Sequence, residues 1–253
     1  VLGLRKNNLL FMKLNQQQFT LDILKSPIPS LANFVLSNVP QLESVCVRTI
    51  LEKISSHWHA GKTIPPELNL IYLWGANGSG KSHLLKALFE EAKGANLPTL
   101  FLTPSSPLWS TLQTSPQKLA YLIDDIHVLN STELSQLFKL MIDTKSSPEI
   151  FLCISGAHSI KGLHIREDVS SRLASGINFS LQILSDTEKI CAIQEASLAR
   201  GLHLSDDIAP WLLKNCPRDL PSLINILEVL DQYSLQTKRP INLSLLRDLF
   251  NPN

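Results

Sequence analysis

Gly75-Ala76-Asn77-Gly78-Ser79-Gly80-Lys81-Ser82 is a complete G-x-x-x-x-G-K-S string, and each fixed position answers a need of phosphate chemistry. Gly75, Gly78 and Gly80 let backbone N–H groups wrap phosphate oxygens and aim a helix N-terminus at them. Lys81 is placed to reach the β- and γ-phosphates of a nucleotide, and the Ser82 hydroxyl to ligate Mg²⁺. The string follows the apolar run Ile71-Tyr72-Leu73-Trp74 and opens a helical pattern at Leu84, Leu85, Ala87 and Leu88, the context such a loop requires. With glycine near ~7% of residues, chance would produce it in roughly one chain in a hundred, so a ligand-free glycine turn is the weaker reading. Further along, Ala120-Tyr121-Leu122-Ile123 runs into Asp124-Asp125. At the C-terminal edge of a parallel strand, where ligands of such sheets bind, Asp124 would hold Mg²⁺ through water and Asp125 would orient the attacking water.

These side chains act together only if a sheet brings strand ends to one edge. Five short apolar runs supply one: 70–74, 99–102, 119–124, 150–155 and 177–181. The first four are separated by stretches long enough for parallel crossovers, which predicts an α/β fold with a buried parallel sheet. Ahead of them, Leu42, Val45, Ile50, Leu51, Ile54 and Trp58 recur at helical spacing. The pattern changes at Leu184-Ser185-Asp186-Thr187-Glu188, where Ser185 and Glu188 spell a capping box. From there the chain reads as helices over roughly 186–200, 205–215, 218–236 and 243–250, with Gly201 as the C-terminal cap of the first.

Composition removes several alternatives. Of the 253 residues, 44% are hydrophobic, close to the globular norm of about 45–50%, and no apolar run approaches the ~20 residues of a membrane-spanning helix. With 23 Lys+Arg against 22 Asp+Glu, no broad basic surface exists to hold nucleic acid by charge. The four cysteines have no C-x-x-C spacing, and Cys153 and Cys191 lie in apolar contexts that predict small core residues. His57 and His59 are two positions apart on a helix, the wrong spacing for a shared metal. His83 and His127 flank the phosphate loop and the carboxylates and are not expected to be catalytic. Val1–Phe11 has no apolar segment of a secretory signal, Met12 is a candidate start, and the compartment reads as cytoplasmic.

Gly78-Ser79-Gly80-Lys81-Ser82-His83-Leu84-Leu85 and Ile123-Asp124-Asp125-Ile126-His127 together resemble the AAA+ core of the bacterial replication initiator DnaA. The chain resembles more closely the Hda family of DnaA-homologous regulators. The likeness runs from about Gln18 to Phe250. It includes Phe34-Val35, Asp168-Val169-Ser170-Ser171-Arg172-Leu173 with Gly176, Leu184-Ser185-Asp186 and Pro217-Arg218-Asp219-Leu220. No helix-turn-helix module follows the lid in this sequence, which favours the regulator over the initiator. The resemblance implies an AAA+ P-loop NTPase with a parallel five-stranded sheet and a C-terminal all-helical lid. Its parts would be a tail (1–30), a nucleotide-binding domain (31–183) and a lid (184–253).

By the same resemblance, Arg172 would be an arginine finger presented to a nucleotide on a neighbouring subunit, and Arg218 the lid arginine that meets phosphate. One departure stands out: β-strand 150–155 leads to Ser155-Gly156-Ala157-His158, and relatives carry an acidic residue at about Ala157. Ser155 remains to bond a phosphate or water, and the weakened sensor position implies little hydrolysis by the chain itself with nucleotide binding intact. Gln18-Phe19-Thr20-Leu21-Asp22-Ile23 resembles the Gln-Leu-x-Leu-x-Leu peptide by which this family docks on the β sliding clamp of DNA polymerase III. There Gln18 would be held by polar groups while Phe19, Leu21 and Ile23 fill apolar pockets as an extended peptide.

The expected function is negative regulation of chromosomal replication initiation. The chain would bind ADP or ATP with Mg²⁺, ADP in its working state, and meet DNA indirectly through the clamp. From there it would stimulate ATP hydrolysis by DnaA. It would have no membrane partner, and homo-oligomers are open to it. Two alternatives compete: an autonomous AAA+ ATPase that loads a helicase or assists transposition, and a non-catalytic DnaA–clamp adaptor.

Overall fold

The computed structural model describes residues 29–32, 34, 42–112, 119–198 and 200–250. They divide into two compact units, one reaching Leu184 and one beginning at Ser185. The peptide Gln18–Ile23, Met12 and Val35 lie outside the described residues.

In the first unit, helix α1 (Leu42–His59) precedes strand β1 (Leu70–Trp74), helix α2 (Lys81–Gly94), β2 (Thr99–Leu102), β3 (Leu119–Ile123), α3 (Ser131–Ser146), β4 (Ile150–Gly156), α4 (Glu167–Ala174) and β5 (Ile177–Ser180). The strands form one parallel sheet in the order β2-β3-β4-β1-β5. Alternate residues of each strand point to opposite faces, and both faces are covered. Ile71, Leu73, Leu122 and Cys153 pack with Leu51, Ile54 and Trp58 of α1 and Leu84, Leu85 and Leu88 of α2. Tyr72, Tyr121, Ile123, Leu152 and Ile154 pack on the other side with Leu137, Leu140 and Met141 of α3 and Val169 and Leu173 of α4. A strand buried on both faces is apolar unless its polar groups are bonded, and β4, buried along its whole length, carries Ser155 as its one hydroxyl.

The second unit contains α5 (Asp186–Leu198), α6 (Ile208–Asn215), α7 (Leu220–Thr237) and α8 (Leu243–Phe250). Ile193, Leu212, Leu227 and Leu246, one from each helix, share its core. The expected capping box forms: the Ser185 amide donates to the Glu188 carboxylate at 2.7 Å, and the Glu188 amide to Ser185 Oγ at 3.3 Å. Gly201 (φ 73°) closes the far end, with the Leu202 amide reaching back to the Ser197 carbonyl at 2.9 Å.

One expectation fails here. Cys191 is exposed rather than a core residue, because α5 turns its neighbours Ala192 and Ile193 inward. Cys153 and Cys216 are buried, and burial pushes both thiols up, that of Cys216 to about 11.

Candidate functional site

The phosphate-loop residues lie between the end of β1 and the start of α2, as the spacing predicts. Gly78 (φ 83°) and Gly80 (φ 95°) take left-handed backbone conformations. At Gly80 a side chain would also run into the Phe34 ring, so two separate constraints demand glycine there. Gly75 is buried and its amide bonds the Gly156 carbonyl at 3.2 Å, pinning the loop to β4.

The amides of Gly78, Gly80, Lys81 and Ser82 donate to no backbone carbonyl among the described residues, leaving a nest of free N–H groups at the start of a 14-residue helix. Such a nest attracts an anion. Ser79 Oγ is buried with no hydrogen-bond partner among the described residues, an orphaned polar atom in the same loop. Ser82 is half-buried. Lys81 is only 5% exposed; its Nζ donates to the carbonyls of Gly75 at 2.8 Å and Ala76 at 2.9 Å. An ammonium has three donors, so one remains for a phosphate. Burial draws the Lys81 ammonium below the usual lysine value, opposed by the carboxylates of Asp125 and Asp124. A loop with free amides, an unpaired hydroxyl and a buried cation fits a polyphosphate.

Because β4 lies between β1 and β3, the carboxylates at the end of β3 reach the same sheet edge as the loop. Asp124 is 7% exposed and its amide continues the ladder to the Leu102 carbonyl at 2.9 Å. Asp125 turns out of the strand with φ 55° and ψ 52°, a conformation that Asp tolerates. The Ser155 hydroxyl donates to Asp124 Oδ1 in a very short bond and accepts from the Asp125 amide at 3.0 Å. Ser155 therefore does not face a phosphate or water as expected from the sequence: it is 0% exposed and its hydroxyl is committed to the two aspartates. Sequence reasoning could have paired it with Asp124 only by knowing the β3–β4 register.

The histidines around the site have local partners. His83 Nε2 lies 3.2 Å from the Ser30 carbonyl, and its ring is 5.9 Å from that of Phe34. His127 Nδ1 lies 3.9 Å from Asp125 Oδ1. His57 bonds the Lys53 carbonyl and His59 the Glu91 carboxylate, and no metal-binding cluster exists among the described residues.

Burial, reinforced by Lys86, lowers the His83 pKa below its ordinary value against the opposing bond to Ser30. The unfolded chain therefore takes up a proton near pH 6.5 that the native state resists. Stability is unaffected well above that pH and declines as the pH falls toward the lower native pKa. Thermal melts from pH 7 to 5 should show a steeper loss for the wild type than for His83→Gln. Parallel curves would remove His83 as the source.

Two arginines near α4 behave differently. Arg166, which caps α4, bonds Asp168 at 2.5 Å and Ser135 at 2.7 Å and lies over the Phe138 ring at 5.7 Å. Arg172, in the last turn, is half-buried, and its guanidinium makes no hydrogen bond or ion pair among the described residues. In the helical unit, Arg218 pairs with Asp186 at 2.5 Å, both more than half exposed. Arg218 precedes the α7 N-cap Asp219, and Asp186 supplies the counter-charge that a cation needs beside a helix N-terminus.

The model of the Hda lid domain matches residues 186–250. An uncharacterized protein of Haemophilus influenzae is 34% identical over 187 residues, spanning 71% of this chain and 80% of that protein. Domain III of the Thermotoga maritima replication initiation protein DnaA superposes with a TM-score of 0.62 at 17% identity, over 89% of this chain and 98% of that one. AMPPCP-bound DnaA from Aquifex aeolicus superposes with a TM-score of 0.61 at 16% identity, over 84% of this chain and 68% of that one. Identities this low establish a common fold, a parallel five-stranded AAA+ sheet. With the lid model over α5 to α8 and the DnaA fold over most of the length, the chain is Hda-like, joining an Hda-type lid to a DnaA-like AAA+ fold.

Proposed function

We propose that this protein restrains replication initiation by stimulating ATP hydrolysis on DnaA while itself holding an adenine nucleotide. The observation that carries the reading is Arg172, a guanidinium on α4 with no partner among the described residues. An arginine kept unpaired suits the charge that develops on a transferring phosphoryl group held by another molecule. In the chain's own site, Lys81 and the loop amides would bind the terminal phosphates, and Ser82 and Asp124 would hold Mg²⁺. Asp125 would orient a water, and bound Mg²⁺ would supply charge neutralisation at the phosphates. Support for nucleotide binding comes from AMPPCP-bound DnaA of the same fold. Ala157, a methyl where a polar group would assist hydrolysis, favours action on a partner's nucleotide over autonomous turnover. ADP is then the resident nucleotide.

Arg218 would be shared between Asp186 and a phosphate of that nucleotide. Residues 1–30 would serve as the clamp-docking tail, 31–183 as the nucleotide-binding part and 184–253 as the lid. No helix among the described residues is long and apolar enough to cross a membrane, which agrees with a cytoplasmic replication factor.

The test is whether this protein, added with DNA-loaded β clamp, accelerates ATP hydrolysis by DnaA, and whether that depends on the tail. Replacing Gln18, Leu21 and Ile23 with alanine should abolish clamp binding and clamp-dependent stimulation. Nucleotide affinity should stay near wild type, since an extended docking peptide acts apart from the core. Clamp pull-down by the triple variant at wild-type level would take the tail out of the mechanism.

A further inference from the structure

We infer that Ser155 is a positioning residue of the nucleotide site, setting which oxygen of Asp124 is turned toward the cation. The inference rests on the proposed reading that Asp124 serves Mg²⁺. β4 occupies the centre of the site's edge: Ser155 is opposite Leu73 of β1, two residues before the phosphate loop, and Ile154 is opposite Ile123 of β3, one residue before Asp124. From Ile150 to Ala157 the side chains are apolar or absent except at Ser155, so this hydroxyl is the one polar side chain β4 offers there.

A serine hydroxyl has one proton to give. Here it goes to Asp124 Oδ1, while the serine's own oxygen accepts from the Asp125 amide at 3.0 Å. The two bonds determine the hydroxyl's orientation and commit Oδ1, leaving Oδ2 as the Asp124 oxygen for a cation or its water. The bond from the Asp125 amide also ties down the left-handed turn (φ 55°, ψ 52°) that separates the two carboxylates. Ser155, 0% exposed, thus acts through Asp124 rather than on the nucleotide, in the way that outer-shell partners orient metal ligands.

Calorimetric titration of the full chain with ADP, in Mg²⁺ and in EDTA, tests this with Ser155→Ala, Ser155→Cys and Ser155→Thr. The wild type should bind more tightly with Mg²⁺. Ser155→Ala should lose about tenfold of that gain, the lower range for an outer-shell partner, with affinity in EDTA unchanged. Ser155→Thr, which keeps the hydroxyl, should retain the gain. Ser155→Cys, a weak donor of similar size, should lose it, which keeps the test valid where the alanine variant folds poorly. A full Mg²⁺ gain in the alanine or cysteine variant overturns the inference, as does an equal loss with and without Mg²⁺, which marks general damage. Absence of ADP binding by the wild type overturns the nucleotide reading itself, and this inference with it.

Discussion

Replacing Arg172 with alanine is expected to remove stimulation of DnaA ATP hydrolysis by about 10²-fold or more, the lower part of what an arginine finger supplies. The prediction follows from what Arg172 does not do at home. It has no bonded partner among the described residues, in contrast to Arg166, whose charge is used by Asp168 and Ser135. Truncation should therefore cost no more than a surface substitution, within about 0.5 kcal/mol of stability. Nucleotide affinity and clamp binding should stay near wild type. Arg172→Lys keeps a charge but not the planar fork, and should rescue poorly. Full stimulation by Arg172→Ala would leave the adaptor reading standing. Loss of only this protein's own turnover would point to an autonomous ATPase.

The second large effect is expected at Lys81. Lys81→Ala should weaken ADP or ATP binding by at least an order of magnitude, ~1.4 kcal/mol. The structure adds a second consequence: the ammonium is the donor to the Gly75 and Ala76 carbonyls. Losing it leaves acceptors short of a partner and should lower stability by about 1–3 kcal/mol even without nucleotide. The two effects separate in a melting experiment, because saturating ligand raises native stability by RT ln(1 + [L]/Kd). The variant's baseline should drop, and at equal nucleotide concentration its ligand-induced gain should shrink by ~1.4 kcal/mol for each tenfold loss of affinity. A lower baseline with an undiminished ligand gain would make Lys81 a structural residue and count against the nucleotide reading as a whole.

What was legible in the amino-acid sequence was local. The five strands, helix α1 and the four helices after Ser185 lie within a few residues of where the sequence pattern placed them, because alternation, caps and glycines act over one or two turns of chain. The phosphate loop was readable for the same reason: its glycines, Lys81 and Ser82 are contiguous, and their backbone needs are written in residue type. The capping box at Ser185 and Glu188 is likewise a three-residue affair.

What only the tertiary structure decided depends on chain segments far apart. Periodicity carries no information on lateral order, so nothing local announces that β4 runs between β1 and β3. That order brings Asp124 to the phosphate loop and gives Ser155 to the aspartates rather than to a ligand. Arg218 finds Asp186 at a sequence separation of 32, and the exposure of Cys191 depends on which face α5 turns to its partners. In each case the deciding contact closes a long loop, and its geometry is set by packing of the whole unit instead of by the conformational preference of any one segment.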